Sequence, residues 1–341
     1  KKISVKLMLL LKQELNFKVM KKIILLLLIS VTTFGQKKPE DFGYRHLTFT
    51  YKKLTVDVLI QSKEREENIQ KPLFFWCQGS MPQPLLKYDE TGLYGTFPFD
   101  VDDFLSDYHL VIVGKPGVPL ISDVKDLKAE YQYLNENDSV PKIYSEHNYL
   151  DYYVERNDFI IKKLLKEKWV SKNKLVLAGH SEGSTIVAKL ATKNKKVTHL
   201  IYSGGNPYGR ILNILQQQIF IYKDYEVIEY WKSVVANKQN ITYNGRDTYK
   251  ATYDFSQPSE IHLKKLKIPV FITYGTKDWN APYNDLLQIE SIQLGLKNIV
   301  FKPYFDVEHN YFPVNEKREP NHEIYNWENV GKDWKNWLDK N

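Results

Sequence analysis

The feature that most constrains the fold of this sequence is an apolar run that leads directly into the pattern Gly-x-Ser-x-Gly. Residues 174–178 are rich in strand-forming side chains, and residues 179–183 read Gly-His-Ser-Glu-Gly. The small residues at 184–188 are typical of a helix that packs closely on a sheet. A serine at such a strand-to-helix turn has strained backbone geometry, and its hydroxyl stands clear of the sheet. The pattern therefore predicts a nucleophile elbow centred on Ser181.

The neighbours of Ser181 fit the same interpretation. Gly179 and Gly183 have no Cβ to collide where the strand and the helix pass closest, and His180 completes the turn. The positive end of the following helix would lie beneath the serine. We therefore expect Gly179, His180 and Gly183 to form the elbow around Ser181.

Three segments together resemble the α/β-hydrolase superfamily of serine hydrolases. They read Gly-His-Ser-Glu-Gly at 179–183, Tyr-Gly-Thr-Lys-Asp at 274–278 and Glu-His-Asn at 308–310. The resemblance runs from about residue 44 to the C-terminus. It implies an α/β fold with a mostly parallel central sheet flanked by helices, a cap insertion, and a catalytic triad that requires no metal or organic cofactor.

The resemblance implies that Ser181, Asp278 and His309 form this triad. Asp278 follows the apolar run 268–274, and His309 follows the last predicted strand, so the order along the chain is Ser, Asp, His, as in this fold. Asp306 and Glu308 are alternative acids. We prefer Asp278 because it hangs from a strand separate from the loop of His309, which gives the acid and the base independent anchors.

An oxyanion hole is predicted from a second loop. Residues 72–77 form a continuous apolar run that predicts a buried strand, and Gln78, Gly79 and Ser80 follow it. In α/β-hydrolases this loop usually reads His-Gly and donates a backbone N–H to the oxyanion, whereas here Gln78 replaces the histidine. We expect the N–H groups of Glu182 and of the Gly79–Ser80 loop to stabilise the oxyanion.

Neither cysteine nor acidic residues indicate a metal site. Cys77 is the single cysteine, which excludes an intramolecular disulfide; we interpret it as a core residue, with a second reactive group as the alternative. The acidic stretch 100–103 lacks the glycine and the distal glutamate of a calcium loop, so we interpret it as a solvated turn.

The N-terminal residues indicate export. Met20 is the better candidate for the start, and Lys21, Lys22 and the apolar run 23–31 resemble a signal peptide cleaved near residues 35 and 36. The run is much shorter than the ~20 residues that span a bilayer, so we expect no stable membrane anchor after cleavage. We therefore expect a leader at 1–35 and a hydrolase domain at 36–341, located in the periplasm or secreted, with a bacterial envelope favoured.

The overall charge gives no support for nucleic acid as a partner. The chain has 48 Lys and Arg against 41 Asp and Glu, a net charge of +7. Residues 1–35 contain seven of the lysines and one glutamate, which leaves 41 against 40 in the remainder, a net of +1. The high isoelectric point therefore describes the leader.

Residues 208–266 form an insertion that the resemblance to α/β-hydrolases implies to be a cap. They separate two predicted strands by more than a simple connection requires, and parts of them have helical periodicity. Seven of the aromatic residues in this segment indicate either an acyl or aryl pocket or packing of the cap on the body: Tyr222, Tyr225, Tyr230, Trp231, Tyr243, Tyr249 and Tyr253.

The predicted chemistry is hydrolysis through an acyl-enzyme intermediate. A triad determines the reaction class but leaves the substrate open. We favour a small-molecule carboxylic ester as the substrate. The alternatives are an aminopeptidase-like enzyme acting on short peptides and, from a different class, a non-catalytic binding protein on a hydrolase scaffold.

Overall fold

A computed structural model describes residues 37–242 and 247–341. The predicted signal peptide and Tyr243 lie outside the described residues. Pro39–Asn341 form one compact unit. Within the described residues, no helix has both the length and the apolar character needed to span a bilayer.

Eight strands form the central sheet, and three short strands form a second sheet beside it. The strands are β1 (Tyr44–Tyr51), β2 (Leu54–Gln61), β3 (Lys71–Cys77), β4 (Leu86–Asp89), β5 (Gly92–Tyr94), β6 (His109–Val113), β7 (Ile121–Asp123), β8 (Val170–His180), β9 (His199–Ser203), β10 (Val270–Gly275) and β11 (Ile299–Tyr304). The central order is β1-β2-β6-β3-β8-β9-β10-β11, and the small sheet is ordered β5-β4-β7.

Strand direction divides the central sheet into two parts. From β6 to β11 every neighbouring pair is parallel, while β2 is antiparallel to both β1 and β6. The carboxyl ends of the parallel strands therefore meet at one edge of the sheet, which is where α/β proteins build their sites. The mostly parallel central sheet that the resemblance implies is confirmed, and the antiparallel pair β1 and β2 lies at one edge of it.

The helices are α1 (Asp102–Leu105), α2 (Lys142–His147), α3 (Leu150–Leu164), α4 (Glu182–Lys193), α5 (Arg210–Tyr222), α6 (Glu226–Ala236), α7 (Tyr249–Phe255), α8 (Glu260–Leu263), α9 (Ala281–Gln293) and α10 (Trp327–Lys340). Helices α5 to α8 all lie in the connection from β9 to β10, which is the segment that the sequence predicts to be a cap.

The core lies on both faces of the central sheet. Successive strand residues point to opposite faces, so Phe75 packs with α3 and α4 while Phe74 packs with α10. Helix α10 presents Trp327, Val330 and Trp334 to the sheet at helical spacing. Because both faces are covered, the central parts of the parallel strands are mainly apolar, and this is why they were recognisable in the sequence.

Two helices have boundaries that differ from those the sequence indicates. Apolar residues at helical spacing predict a helix over about 149–169. Helix α3 ends at Leu164, because the Trp169 carbonyl already accepts a hydrogen bond from the Lys71 N–H of β3 at 3.1 Å. The sequence also predicts a helix from about 283 to 296, whereas α9 begins at Ala281, with Pro282 in its first turn, and ends at Gln293. Residues 100–103, expected to be a turn, include the start of helix α1 at Asp102.

Candidate active site

Ser181 lies between β8 and α4 in strained backbone geometry. Its φ is +57° and its ψ is −124°, a conformation that a residue with a side chain rarely adopts. Two contacts hold it there. The Ser181 N–H donates to the Ser203 carbonyl at 2.9 Å, and the Ser184 hydroxyl donates to the Ser181 carbonyl at 2.6 Å. Strain maintained by surrounding structure is characteristic of functional positions.

The two glycines of the elbow are required by close packing. A Cβ on Gly179 would collide with the backbone of Gly183, and a Cβ on Gly183 would collide with the Cys77 carbonyl at the end of β3. The strand, the turn and the helix therefore approach one another more closely than any larger residue allows.

His180 packs behind the candidate base. It is buried, and its Nδ1 lies 3.0 Å from the Ser203 hydroxyl. Its ring centroid lies 4.8 Å from that of His309 and 4.9 Å from that of Trp327. Burial, together with the nearby His309, holds the pKa of His180 well below its usual value. The imidazole is therefore neutral, and it packs against His309 without adding a charge to the site.

Asp278 and His309 are joined by a hydrogen bond. The His309 Nδ1 lies 2.8 Å from the Asp278 Oδ2, and the other carboxylate oxygen accepts the Asn280 N–H at 3.0 Å. The Asp278 side chain is 1% exposed and that of His309 is 28% exposed. Burial lowers the pKa of His309, but the charge and the hydrogen bond of Asp278 outweigh it, so the pKa lies above its usual value.

Ser181 and His309 lie at the same edge of the sheet without a direct hydrogen bond between their side chains in the described part of the chain. Gly204, which follows the Ser203 carbonyl bound by Ser181, lies against the base. A Cβ at Gly204 would stand 3.4 Å from the His309 Cε1. A nucleophile and a base that are not hydrogen-bonded are common before substrate binds, because catalytic hydrogen bonds often form only in the complex.

The alternative acids have other contacts. The Asp306 side chain is 77% exposed and lies 3.5 Å from the Lys277 ammonium. Glu308 accepts the N–H groups of Asn310 and Phe312 at 2.8 and 3.0 Å, and so shapes the loop that carries His309. The structure therefore brings Asp278, rather than either neighbour of the base, to the imidazole.

The expected oxyanion loop passes beside Ser181. A Cβ on Gly79 would stand 3.6 Å from the Ser181 Cβ, and the Ser80 carbonyl accepts a hydrogen bond from the Tyr144 hydroxyl at 2.6 Å. Among the described residues, no acceptor takes the backbone N–H of Gly79, Ser80 or Glu182. The Gln78 side chain donates to the Val113 carbonyl at 3.3 Å and does not bind the backbone N–H groups of this loop.

Cys77 has the environment of a core residue. It is buried, and the Asn157 amide donates to its sulfur at 3.4 Å. Burial raises the pKa of its thiol to about 12, although Arg156 and Asn157 act in the opposite direction. A thiol with that pKa is not a nucleophile near neutral pH, which excludes the alternative of a second reactive group.

A buried charge cluster next to Ser181 was missed in the sequence. Glu182 forms ion pairs with Arg210 and, at 3.5 Å, with Lys115, and Arg210 also pairs with Asp247. The side chains of Glu182 and Lys115 are only 1% and 3% exposed. The available signal was Lys115, a lysine two residues after the apolar strand β6, but the other members of the cluster come from distant segments of the chain.

A cavity of about 270 Å³ opens above Ser181 and is mostly polar. Its walls include residues of the elbow, of the loop after β9 and of helix α5: Ser80, Ser181, Glu182, Thr185, Gly204, Gly205, Asn206, Arg210, Asn213, Ile214, Gln217, Asp247, Phe255 and Asn280.

The interpretation of the cap tyrosines as an aromatic pocket wall is wrong for this cavity. None of the described aromatic residues of that set lines it. Trp231 and Tyr253 stack on each other at 6.0 Å, while Tyr222 and Tyr225 are both 66% exposed. These side chains contact other residues of the segment 208–266 or face solvent, so they give no support for the alternative of packing on the body either.

No metal site is found in residues 37–242 and 247–341, where no three His, Cys, Asp or Glu side chains are grouped so that they would hold an ion.

Comparisons with known proteins were made by sequence and by structure. No protein-family model matches the chain, and no curated protein matches it significantly. The structure is similar to Pyrococcus horikoshii acylaminoacyl peptidase, with a TM-score of 0.53 and 15% identity over 85% of this chain and 41% of that chain. Est1E from Butyrivibrio proteoclasticus gives a TM-score of 0.51 and 13% identity over 86% of this chain and 98% of that chain.

A third similar structure is Porphyromonas gingivalis dipeptidyl peptidase 4, with a TM-score of 0.53 and 12% identity over 87% of this chain and 35% of that chain. The chain thus spans less than half the length of the two peptidases. The strand order, the elbow between β8 and α4, and these similarities agree: the chain has the α/β-hydrolase fold.

Proposed function

We propose that this protein is a serine hydrolase that cleaves carboxylic esters, with Ser181 as nucleophile, His309 as base and Asp278 as acid. The observation that carries the proposal is the 2.8 Å hydrogen bond between Asp278 and His309 at the sheet edge where Ser181 is held at a φ of +57°. An imidazole oriented by a buried carboxylate, at the same sheet edge as a partly exposed serine, is the arrangement that acyl transfer requires.

The proposed reaction has two stages. The His309 Nε2 takes the proton from the Ser181 hydroxyl as its oxygen attacks the ester carbonyl, and Asp278 stabilises the imidazolium that forms. The N–H groups of Glu182 and of the Gly79–Ser80 loop hold the oxyanion. Collapse of the tetrahedral intermediate releases the alcohol, which takes the proton from His309. Water, activated by the same imidazole, then hydrolyses the acyl-enzyme.

Cleavage of peptide bonds is the second candidate. It is favoured by the names of two similar structures, an acylaminoacyl peptidase and a dipeptidyl peptidase. Those chains are more than twice as long as the part that this protein matches, whereas Est1E is matched over 98% of its length. The likeness to a chain of similar size supports a stand-alone hydrolase, and we place ester cleavage first.

A substrate panel separates the two candidates. Nitrophenyl esters of increasing acyl length are compared with aminoacyl nitroanilides, using the wild type and Ser181→Ala. We expect short or aryl esters to be hydrolysed with the higher kcat/KM and Ser181→Ala to lose this activity. Faster cleavage of anilides with a free amino terminus would favour the peptidase instead. A folded wild-type protein with neither activity would favour the binding protein.

We also propose that the protein is exported after cleavage near residues 35 and 36. The support is the pattern of Lys21, Lys22 and the apolar run 23–31. N-terminal sequencing of the mature protein from fractionated cells tests this proposal. A start near Gln36 in the envelope or medium is expected, and an uncleaved chain in the cytoplasm would contradict it.

A further inference from the structure

Helix α5 turns a polar face toward Ser181. Arg210, Asn213 and Gln217 line the cavity above the serine at spacings of three and four, which place them on one side of a helix. The apolar residues at the end of the same helix lie outside, with Phe220 55% and Tyr222 66% exposed. Ile214 of the same helix and Phe255 also line the cavity, but polar side chains predominate, whereas a pocket for a hydrocarbon chain is lined mainly by apolar side chains.

The helix crosses the site from the elbow to the loop of the acid. At its start Arg210 pairs with Glu182, the residue after the nucleophile. At its end the Phe220 ring lies 5.0 Å from that of Trp279, the residue after Asp278. Gln217 lies one turn before Phe220, so it stands toward the acid and base. The leaving group takes its proton from the base, so it departs on this side.

The charges that line the cavity already have partners. Arg210 pairs with both Glu182 and Asp247, and Lys115, which does not line the cavity, lies 3.5 Å from Glu182. Because these charges are paired with one another, they are not available to bind an anion or an ammonium group of a ligand. A neutral ligand is therefore favoured.

The two amides of α5 offer both a donor and an acceptor to such a ligand. The Gln217 Nε2 donates to the Asn213 Oδ1 at 3.3 Å. This contact orients the pair so that the Asn213 NH₂ and the Gln217 carbonyl have no partner among the described residues. A hydroxyl group both donates and accepts, and neighbouring hydroxyls on a ring match a donor placed next to an acceptor.

We propose that the leaving group of the substrate is a polyhydroxylated alcohol of the sugar type, bound by Asn213 and Gln217. This inference rests on the proposed ester hydrolysis and specifies its substrate class. Each hydrogen bond between a neutral amide and a hydroxyl contributes about threefold to tenfold in kcat/KM. We therefore expect the enzyme to distinguish a sugar ester from an ester of an unsubstituted cyclic alcohol by the ring hydroxyls and not by the size of the ring.

A matched pair of acetates tests the inference. Methyl 6-O-acetylglucopyranoside and cyclohexylmethyl acetate both release a primary alcohol on a six-membered ring, with and without ring hydroxyls. We expect the wild type to prefer the sugar acetate by at least about tenfold in kcat/KM. Equal rates, or preference for the cyclohexyl ester, would overturn the inference while leaving ester hydrolysis intact. No hydrolysis of either acetate or of nitrophenyl acetate would overturn both proposals.

Variants on one helix assign the effect to residues. Gln217→Met keeps side-chain length and helix propensity but removes the amide, and we expect it to lower kcat/KM for the sugar acetate about threefold to tenfold. Its effect on cyclohexylmethyl acetate, which has no ring hydroxyl for the amide to bind, should be smaller than its effect on the sugar acetate. Gln216→Met is the control, because Gln216 is exposed and does not line the cavity. Equal effects of Gln217→Met on both acetates, or equal effects of the two variants on the sugar acetate, would contradict the assignment.

Discussion

Removal of the buried Glu182 carboxylate tests how the charge cluster supports the elbow. Glu182→Gln keeps the backbone N–H proposed for the oxyanion hole but breaks the ion pairs with Arg210 and Lys115. Loss of one partner of a buried pair costs about 3–5 kcal/mol. Arg210 keeps Asp247, and burial already lowers the pKa of Lys115, which can shed its proton. We therefore expect the lower end of that range, a loss of about 3 kcal/mol in the free energy of unfolding.

Urea unfolding followed by tryptophan fluorescence measures the loss, and a double-mutant cycle identifies its cause. Lys115→Met removes the cation and fills the same space with apolar atoms. If the cost of Glu182→Gln arises from the cation left without its carboxylate, the double variant should be more stable than the sum of the single losses by at least about 1 kcal/mol. A loss below about 1 kcal/mol for Glu182→Gln, or strictly additive losses, would refute the role of the pair.

Further predictions concern the triad and the elbow. Asp278→Asn should keep the fold and lower kcat by ~10³ to 10⁴, whereas Asp306→Asn should cost less than about tenfold on the same ester; the reverse ranking would move the acid to Asp306. Because Asp278 raises the pKa of His309 and only the neutral imidazole accepts a proton, kcat/KM should fall with decreasing pH at a midpoint above 6.5. In residual Asp278→Asn activity this midpoint should shift to lower pH, and an unshifted profile would contradict the assignment. Gly183→Ala places a Cβ against the Cys77 carbonyl and should destabilise the protein by about 3 kcal/mol or more in urea unfolding; a near-neutral effect would contradict the packing described.

The strands and the elbow could be predicted because their signals are local. A parallel strand covered on both faces is apolar along its length, and Gly179 and Gly183 mark the close approach of strand and helix. The choice of Asp278 over Asp306 also followed from sequence, because only Asp278 hangs from a separate central strand. The structure brings Asp278 to His309 as expected.

The features missed in the sequence depend on contacts between distant segments. Lys115, Glu182 and Arg210 each look like an ordinary charged residue until the fold brings them together. The polar face of α5 was equally hidden, since periodicity shows that a helix has two faces but not which one meets the active site. The short strands of the small sheet, such as Gly92–Tyr94, are too brief to show alternation.

The most direct test of the central claim is labelling with a fluorophosphonate probe, followed by peptide mapping of the adduct. We predict one adduct, on Ser181, which is absent in Ser181→Ala and forms much more slowly in the folded His309→Ala variant, because the base that activates the hydroxyl is missing. Ser233→Ala is the control, since this serine lies on helix α6, does not line the cavity above Ser181 and donates to the Glu229 carbonyl. An adduct on another residue, no adduct on folded wild-type protein, or equal labelling rates in wild type and His309→Ala would contradict the assignment of Ser181 and His309.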